Sequence, residues 1–267
     1  MSRKTTLRIV FAAAALAAIF AFTACENLSY SKLAANYYFG RANSYFRENQ
    51  YRRAITEYEA TLRFNPNMTQ AYRFLGESYK QLFKPGVDTP INKELEAKTL
   101  AALTKALEIE PNNRDIIYSL GDMYDKTRKF AEAEKLYLRI IELEPEDMSN
   151  YYVVAEFYKR YSGEDKALAA KAESMYLRRI ETDPENPQGY AYMATYLQEA
   201  AGGPEELLKS YERAAEFWEM RIKLQPQSAE AWLALGVNQW SRSFRFQFLT
   251  PRERMAQAQA ALVSIQK

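Results

Sequence analysis

Residues 111–145 read PNNRDIIYSLGDMYDKTRKFAEAEKLYLRIIELEP and decide the fold of this chain. Apolar and small side chains recur there in two runs, each at the three- and four-residue spacing of one helix face. The members are Ile117, Leu120, Gly121 and Tyr124, then Ala133, Tyr137 and Ile140. Because proline cannot continue a helix, Pro145 marks the end of the second run. The stretch therefore predicts two helices joined by a turn.

The same pattern recurs on both sides of this stretch. Five prolines follow an acidic or polar residue at the end of a helical segment, at intervals of 45, 34, 39 and 42 residues. They are Pro66, Pro111, Pro145, Pro184 and Pro226. The longer units carry their extra residues between the first and second helix, where doubling a loop costs only about 0.6 kcal/mol. We therefore expect longer turns in those units.

The unit resembles the tetratricopeptide repeat, a 34-residue helix–turn–helix with small residues where the paired helices touch. The resemblance covers about residues 35–248. It implies an all-α fold, a right-handed superhelical solenoid of stacked units with a concave groove. The expected solenoid spans 35–267, in units of about 35–68, 69–113, 114–147, 148–186, 187–228 and 229–267, the last incomplete or capping.

The last unit contains a segment of alternating aromatic and basic residues, Ser241–Phe248. A strand, a membrane-surface contact and a packed inter-helix connector are all compatible with it. We expect the connector, because every earlier insertion lies at the same place in its unit. Thr250 and Pro251 then predict the start of a helix that runs to Lys267. Whether that helix is a cap or is truncated remains open.

The N-terminal segment predicts a targeting signal. Three basic residues precede an apolar run from Ile9 to Phe22, whose 14 residues fall short of the roughly 20 that span a bilayer. The following Thr23-Ala24-Cys25 resembles the lipobox of bacterial lipoproteins, although Phe22 replaces the usual aliphatic residue. The resemblance implies a signal peptide over 1–24, then a lipidated Cys25 and a short tether over 25–34. An uncleaved anchor helix and an ordinary secretory signal are the alternatives.

The resemblance also implies a location. A lipidated Cys25 would hold the solenoid in the periplasm, within roughly 27 Å of a membrane of the bacterial cell envelope. Glu26 rather than aspartate follows the cysteine, which by resemblance to proteobacterial sorting favours the outer membrane.

Composition excludes several classes of function. The chain has no histidine and one cysteine, which excludes the Ser-His-Asp and Cys-His nucleophiles, ordinary zinc sites and disulfide-based chemistry. The formal charge of +2 gives no electrostatic case for nucleic acid. We therefore expect a non-catalytic scaffold with no cofactor and no metal. An envelope enzyme, or a subunit of one, that uses carboxylates is the alternative from another class.

In the tetratricopeptide family, first helices line the groove and bind a segment of a partner protein, as in scaffolds that assist envelope, secretion or pilus assembly. The places carried over from the family pattern are Phe39, Asn43, Arg73, Glu77, Tyr118, Asp122, Tyr152, Glu156 and Thr195. Among them, Glu77, Asp122 and Glu156 would form an acidic ladder for a basic partner segment, with Tyr118 and Tyr152 as aromatic anchors. The alternative is that each acid pairs with a lysine of its own helix three or four residues on.

Overall fold

A computed structural model of the chain describes residues 30–163, 165–200 and 202–267. Those residues form twelve helices and no strand. The helices are α1 Tyr30–Arg47, α2 Tyr51–Phe64, α3 Thr69–Leu82, α4 Pro90–Ile109, α5 Arg114–Lys126, α6 Phe130–Leu143, α7 Met148–Tyr161, α8 Lys166–Thr182, α9 Pro187–Gln198, α10 Pro204–Leu224, α11 Ala229–Arg245 and α12 Pro251–Ile265. The predicted signal peptide and Cys25 lie outside the described residues. No described helix combines the length and the apolar character needed to cross a membrane.

The helices form two compact units, which divide between Arg139 and Ile140 within α6. In the first unit, α1 to α5 pack in chain order, each against its neighbours, and α5 contacts α6 where Gly121 meets Tyr137. In the second unit, α7 to α12 also pack in chain order. Each predicted repeat holds one helix pair, so the predicted all-α fold of stacked helix–turn–helix units is confirmed within each compact unit.

The repeat prolines lie in turns with a common hydrogen-bond pattern. In four of the five turns the residue two positions after the proline caps the next helix, because its side-chain oxygen accepts a hydrogen bond from a backbone N–H of the first turn. Asn113, Asp147, Asn186 and Ser228 make this bond. In three turns an aromatic side chain six residues after the proline donates to the proline carbonyl oxygen, at 2.9–3.0 Å. These donors are Tyr151, Tyr190 and Trp232.

Small residues bring the two helices of a pair into close contact, as the sequence predicts. A methyl group added to Gly76 would lie 2.7 Å from the Leu103 side chain, and one added to Gly121 would lie 3.0 Å from the Tyr137 ring. Both distances are shorter than normal packing contacts. The larger member of each pair is buried. The pairing therefore depends on a small residue on one helix and a large one on the other.

The extra residues of the longer units do not all lie in turns, which corrects our expectation. Helices α4, α8 and α10 contain 20, 17 and 21 residues, whereas α2 and α6 contain 14 each. Pro90 and Pro204 occupy the first turns of the lengthened α4 and α10, where the missing N–H costs nothing. In the first turn of α4, the buried Asn92 side-chain amide donates to the carbonyl oxygens of Lys84 and Val87 in the preceding connector, both at 2.8 Å.

Two predicted boundaries were also wrong. Helix α1 begins at Tyr30 rather than near residue 35, because the Tyr30 ring packs edge-on against Phe64 at 6.0 Å and extends the helix by a turn. Helix α11 continues to Arg245, so most of the segment expected to be a connector is helical. The chain leaves the helix at Phe246, which is 2% exposed and lies 5.7 Å from the Tyr211 ring.

We predict that Gly76→Ala lowers the free energy of unfolding by about 1–3 kcal/mol, because the new methyl group displaces Leu103 from the contact between α3 and α4. The matched control is Gly40→Ala in α1, where no other group lies within 4 Å of the added methyl. Removing a glycine from that open helical position should stabilise the protein by about 0.5–1 kcal/mol. Urea unfolding followed by circular dichroism measures both, and equal stabilisation by both would contradict the packing argument.

Candidate partner-binding groove

The two groove places predicted on α1 also hold the first repeats together. The Phe39 ring lies 5.9 Å from the Tyr58 ring and 6.4 Å from the Phe74 ring, across α2 and α3. The Asn43 side-chain oxygen accepts a hydrogen bond of 2.7 Å from the Tyr58 hydroxyl. Part of this predicted groove is therefore occupied by packing within the first unit.

The next two repeats share a network of charges on α3 and α5. The Lys80 ammonium group lies 3.0 Å from Glu77 on its own helix and 3.0 Å from Asp122 on the next first helix. Lys126 contacts Asp122 at 2.6 Å from the solvent side. Nearby, Arg73 pairs with Asp115 at 2.8 Å. Lys80 thus bridges two repeats, and its side chain is only 9% exposed.

The protonation states of this network follow from its burial and its pairing. Burial alone would lower the pKa of Lys80, but the charges of Glu77 and Asp122 outweigh it and raise the pKa. Burial would raise the pKa of Asp122, yet the hydrogen bond from Lys126 and the charge of Lys80 outweigh burial and lower it. Lys80 and Asp122 are therefore both charged near neutral pH, and their charges offset one another.

The acidic ladder is a set of paired carboxylates. Glu77, Asp122 and Glu156 each contact the lysine of their own helix, at 3.0, 2.6 and 3.7 Å respectively. The intrahelical-pair interpretation is confirmed for all three. Glu156 also accepts a hydrogen bond from the Tyr176 hydroxyl on α8. Capture of a basic partner segment by these acids would have to displace their own lysines.

The aromatic anchors differ in how accessible they are. Tyr118 on α5 is 45% exposed, with its ring 6.1 Å from Tyr137. Tyr152 on α7 is partly buried and packs against Tyr192 at 4.6 Å, and its own burial raises its pKa. Thr195 is exposed, but its hydroxyl donates to the Ala191 carbonyl of the same helix at 2.9 Å. Of the predicted places, Tyr118 has the most accessible aromatic surface.

The sequence analysis missed an apolar surface on α11, which we call the α11 ridge. Four large apolar side chains lie along one face of this helix, at spacings of four, three and four residues, and each is 50–55% exposed. They are Leu233, Val237, Trp240 and Phe244. The first three stand 7, 11 and 14 residues after Pro226, the places that Tyr152, Glu156 and Lys159 occupy after Pro145. Counting from the repeat proline could have identified the ridge from the sequence, but the family pattern was carried over only to groove places in the first five repeats.

The carboxylate-enzyme alternative requires a carboxyl group with a raised pKa, which would keep it protonated for acid–base work. In the described residues the shifted carboxyl pKa values change in the other direction. The hydrogen bond from Arg221 lowers the pKa of Glu230, and the Thr250 hydroxyl lowers that of Glu253, as happens at Asp122. These shifts stabilise the charged form, so they add no support to acid–base chemistry.

The consecutive helix pairs, with small residues at their contacts and prolines at their boundaries, define a helical-repeat protein. Two tetratricopeptide-repeat models match the chain, over residues 35–68 and 96–155. The chain therefore contains tetratricopeptide repeats. A comparison with curated protein sequences finds no match.

Several solved structures share this fold. The C-terminal part of a TPR repeat-containing protein from Cytophaga hutchinsonii is 17% identical over 94% of this chain and 88% of its own, with a TM-score of 0.62. PilF from Pseudomonas aeruginosa is 15% identical over 89% of this chain and 93% of its own, with a TM-score of 0.51. MamA from Desulfovibrio magneticus is 15% identical over 73% of this chain and 97% of its own, with a TM-score of 0.51. At these identities the similarity is one of fold.

We predict that Lys80→Met destabilises the protein by about 1–3 kcal/mol at pH 7, because it leaves Glu77 and Asp122 partly buried without their shared cation. Lys126→Met is the control, since Lys126 contacts the same Asp122 from the more exposed side and should cost less than about 1 kcal/mol. Urea unfolding measures both effects.

The difference in the free energy of unfolding between wild type and Lys80→Met should become smaller as the pH falls. The pKa of Asp122 is lower in the folded chain than its ordinary value of 3.8. The pairing of Asp122 therefore stabilises the folded state at any pH above 3.8, and this stabilisation is lost as the pH falls through the lower pKa of the folded state. Unfolding at pH 7 and pH 3 tests this, and a pH-independent difference would contradict an electrostatic role.

Proposed function

We propose that this chain is a non-catalytic scaffold, a lipid-anchored lipoprotein of the bacterial cell envelope that binds a partner protein through the exposed faces of its first helices. The α11 ridge carries the proposal. Four large apolar side chains on one helix remain half exposed, whereas the solvent-facing side of a helix is usually polar. A partner that covers the ridge would remove this apolar surface from water.

The spacing of the ridge selects the occupant. Its side chains form one straight row along a helix rather than a pocket, and Trp240 and Phe244 stand together with their rings 6.3 Å apart. A row of this kind fits an amphipathic helix of the partner that presents apolar residues at three- and four-residue spacing. Tryptophan is over-represented among the residues that dominate binding energy, so Trp240 is the expected anchor.

The paired charges of the first unit support a secondary role there. Their mutual pairing leaves little net charge to attract a partner, but Tyr118 is accessible beside them. We propose that Tyr118 is a separate, secondary contact within the first unit and that the charged network holds the first helices of that unit in position. The resemblance of residues 22–25 to a lipobox supports the anchor. An envelope assembly, such as a secretion or pilus complex, is the setting we propose.

We predict that a photo-crosslinking residue at position 237, in bacterial cells that express this chain, captures one partner protein. The crosslink should lie in a helical segment of that partner. The same residue at Val87, an exposed apolar position in the connector between α3 and α4, is the control and should give no adduct. Trp240→Ala should reduce the Val237 adduct by about tenfold or more, the loss of an interface anchor.

Two results would contradict this assignment. Equal adducts at Val237 and Val87 would mean that the α11 ridge has no specific role. An adduct between two copies of this chain would mean that the ridge is a self-association surface. Circular dichroism of Trp240→Ala confirms that any loss of adduct is not a loss of fold.

We predict that the mature protein extracted from membranes has lost residues 1–24 and carries added acyl mass on Cys25, as measured by intact mass spectrometry. Cys25→Ser should abolish both changes, because acylation requires the sulfur. A chain that begins at Met1 and is unaffected by Cys25→Ser would refute the lipoprotein proposal and favour an uncleaved anchor.

A further inference from the structure

A second exposed apolar surface lies at the start of the described chain, and we call it the α1 ridge. It consists of Tyr30, Leu33 and Tyr37, which are 78%, 52% and 60% exposed. Their spacing of three and four residues places them on one face of α1. The Tyr30 ring packs edge-on against Phe64 of α2 at 6.0 Å, whereas the Tyr37 ring contacts Tyr38 and Arg41 of its own helix.

The repeat register explains why this face is open. In each later repeat the residue equivalent to Tyr37 is buried on the first helix, and it is small, polar or aliphatic. These equivalents are Ala71, Ile116, Asn150, Gly189 and Ala231. No helix precedes α1 in the described residues, so the side chains of the α1 ridge face away from the repeats. The interior pattern of the solenoid does not account for a tyrosine at this place.

We infer that the α1 ridge contacts the membrane surface and fixes the orientation of the first repeat on it, an inference that rests on the lipid anchor of the proposed function. Chain length is the first argument. Five peptide steps separate Cys25 from Tyr30, and at no more than ~3.6 Å per step they span at most about 18 Å. An acylated Cys25 would therefore keep the first turns of α1 at the lipid headgroups.

Chemistry is the second argument. Tyrosine favours the membrane interface because its ring is apolar and its hydroxyl is polar. Helix α1 carries three basic residues and no acidic one, so no carboxylate on it repels anionic lipids. They are Lys32, Arg41 and Arg47, of which Arg41 pairs with Glu57 on α2 at 2.9 Å. An apolar ridge on a basic helix is the pattern of helices that lie in the plane of a membrane interface.

The test uses the full, anchored chain in vesicles. Because the chain has one cysteine and its sulfur would be acylated, Tyr37→Cys introduces a single free thiol for an environment-sensitive fluorophore. Met255→Cys on α12 is the matched control, since Met255 is 61% exposed and Tyr37 is 60% exposed. The vesicles contain about 70% phosphatidylethanolamine and about 30% phosphatidylglycerol, with a small fraction of nitroxide-bearing lipid.

We expect the nitroxide lipid to quench the fluorophore at position 37 at least about threefold more than at position 255, because only the first lies in the interface. Adding Tyr30→Ser and Leu33→Ser to the labelled Tyr37→Cys chain should bring its quenching close to that of the control. Circular dichroism confirms that these exposed substitutions leave the helices intact.

The possible failures are distinguishable. If only one thiol is labelled, Cys25 is acylated and the anchor stands. Equal quenching at positions 37 and 255 in that protein would overturn the membrane contact of the α1 ridge. Two labelled thiols in Tyr37→Cys would show that Cys25 is not acylated, which removes the anchor and this inference with it. A fluorophore at position 37 that becomes shielded without lipid, as protein concentration rises, would assign the α1 ridge to a second copy and also overturn the contact.

Discussion

The structure depends on one kind of contact, seen in the helix pairs that contain Gly76, Gly121 and Gly236, between a small residue on the first helix and a large one on the second. Where Gly76 meets Leu103 or Gly121 meets Tyr137, there is no space for one more methyl group. Each pair alone leaves an apolar face uncovered, so the pairs must stack. The prolines, the caps two residues after them and the buried aromatic rings all serve to bring successive pairs into this register.

This constraint limits what the groove residues are free to do. Asn43 accepts a hydrogen bond from Tyr58, and Lys80 holds carboxylates of two repeats, so places that the family pattern assigns to partner binding also stabilise the stack. In the first unit the charges offset one another. In the proposed function, recognition therefore falls to exposed side chains, with Tyr118 in the first unit and the α11 ridge in the second.

The two ridges differ in what surrounds them. The α1 ridge lies within about 18 Å, by chain length, of the proposed lipid anchor, on a helix without acids. The α11 ridge occupies groove places of the last repeat and includes tryptophan, the residue most typical of binding anchors. Their chemistry matches a lipid interface for the first and a partner helix for the second.

The sequence by itself determined the number of helix pairs, the boundary prolines and the small residues at helix contacts, because these depend on local periodicity and on the backbone limits of proline and glycine. Only the tertiary structure decided how the inserted residues are used, as longer helices α4, α8 and α10, and where α1 begins and α11 ends. It also decided that the acidic ladder is neutralised and that the α11 ridge is open. Pairing between repeats and solvent exposure depend on which helices meet, and no single helix encodes that.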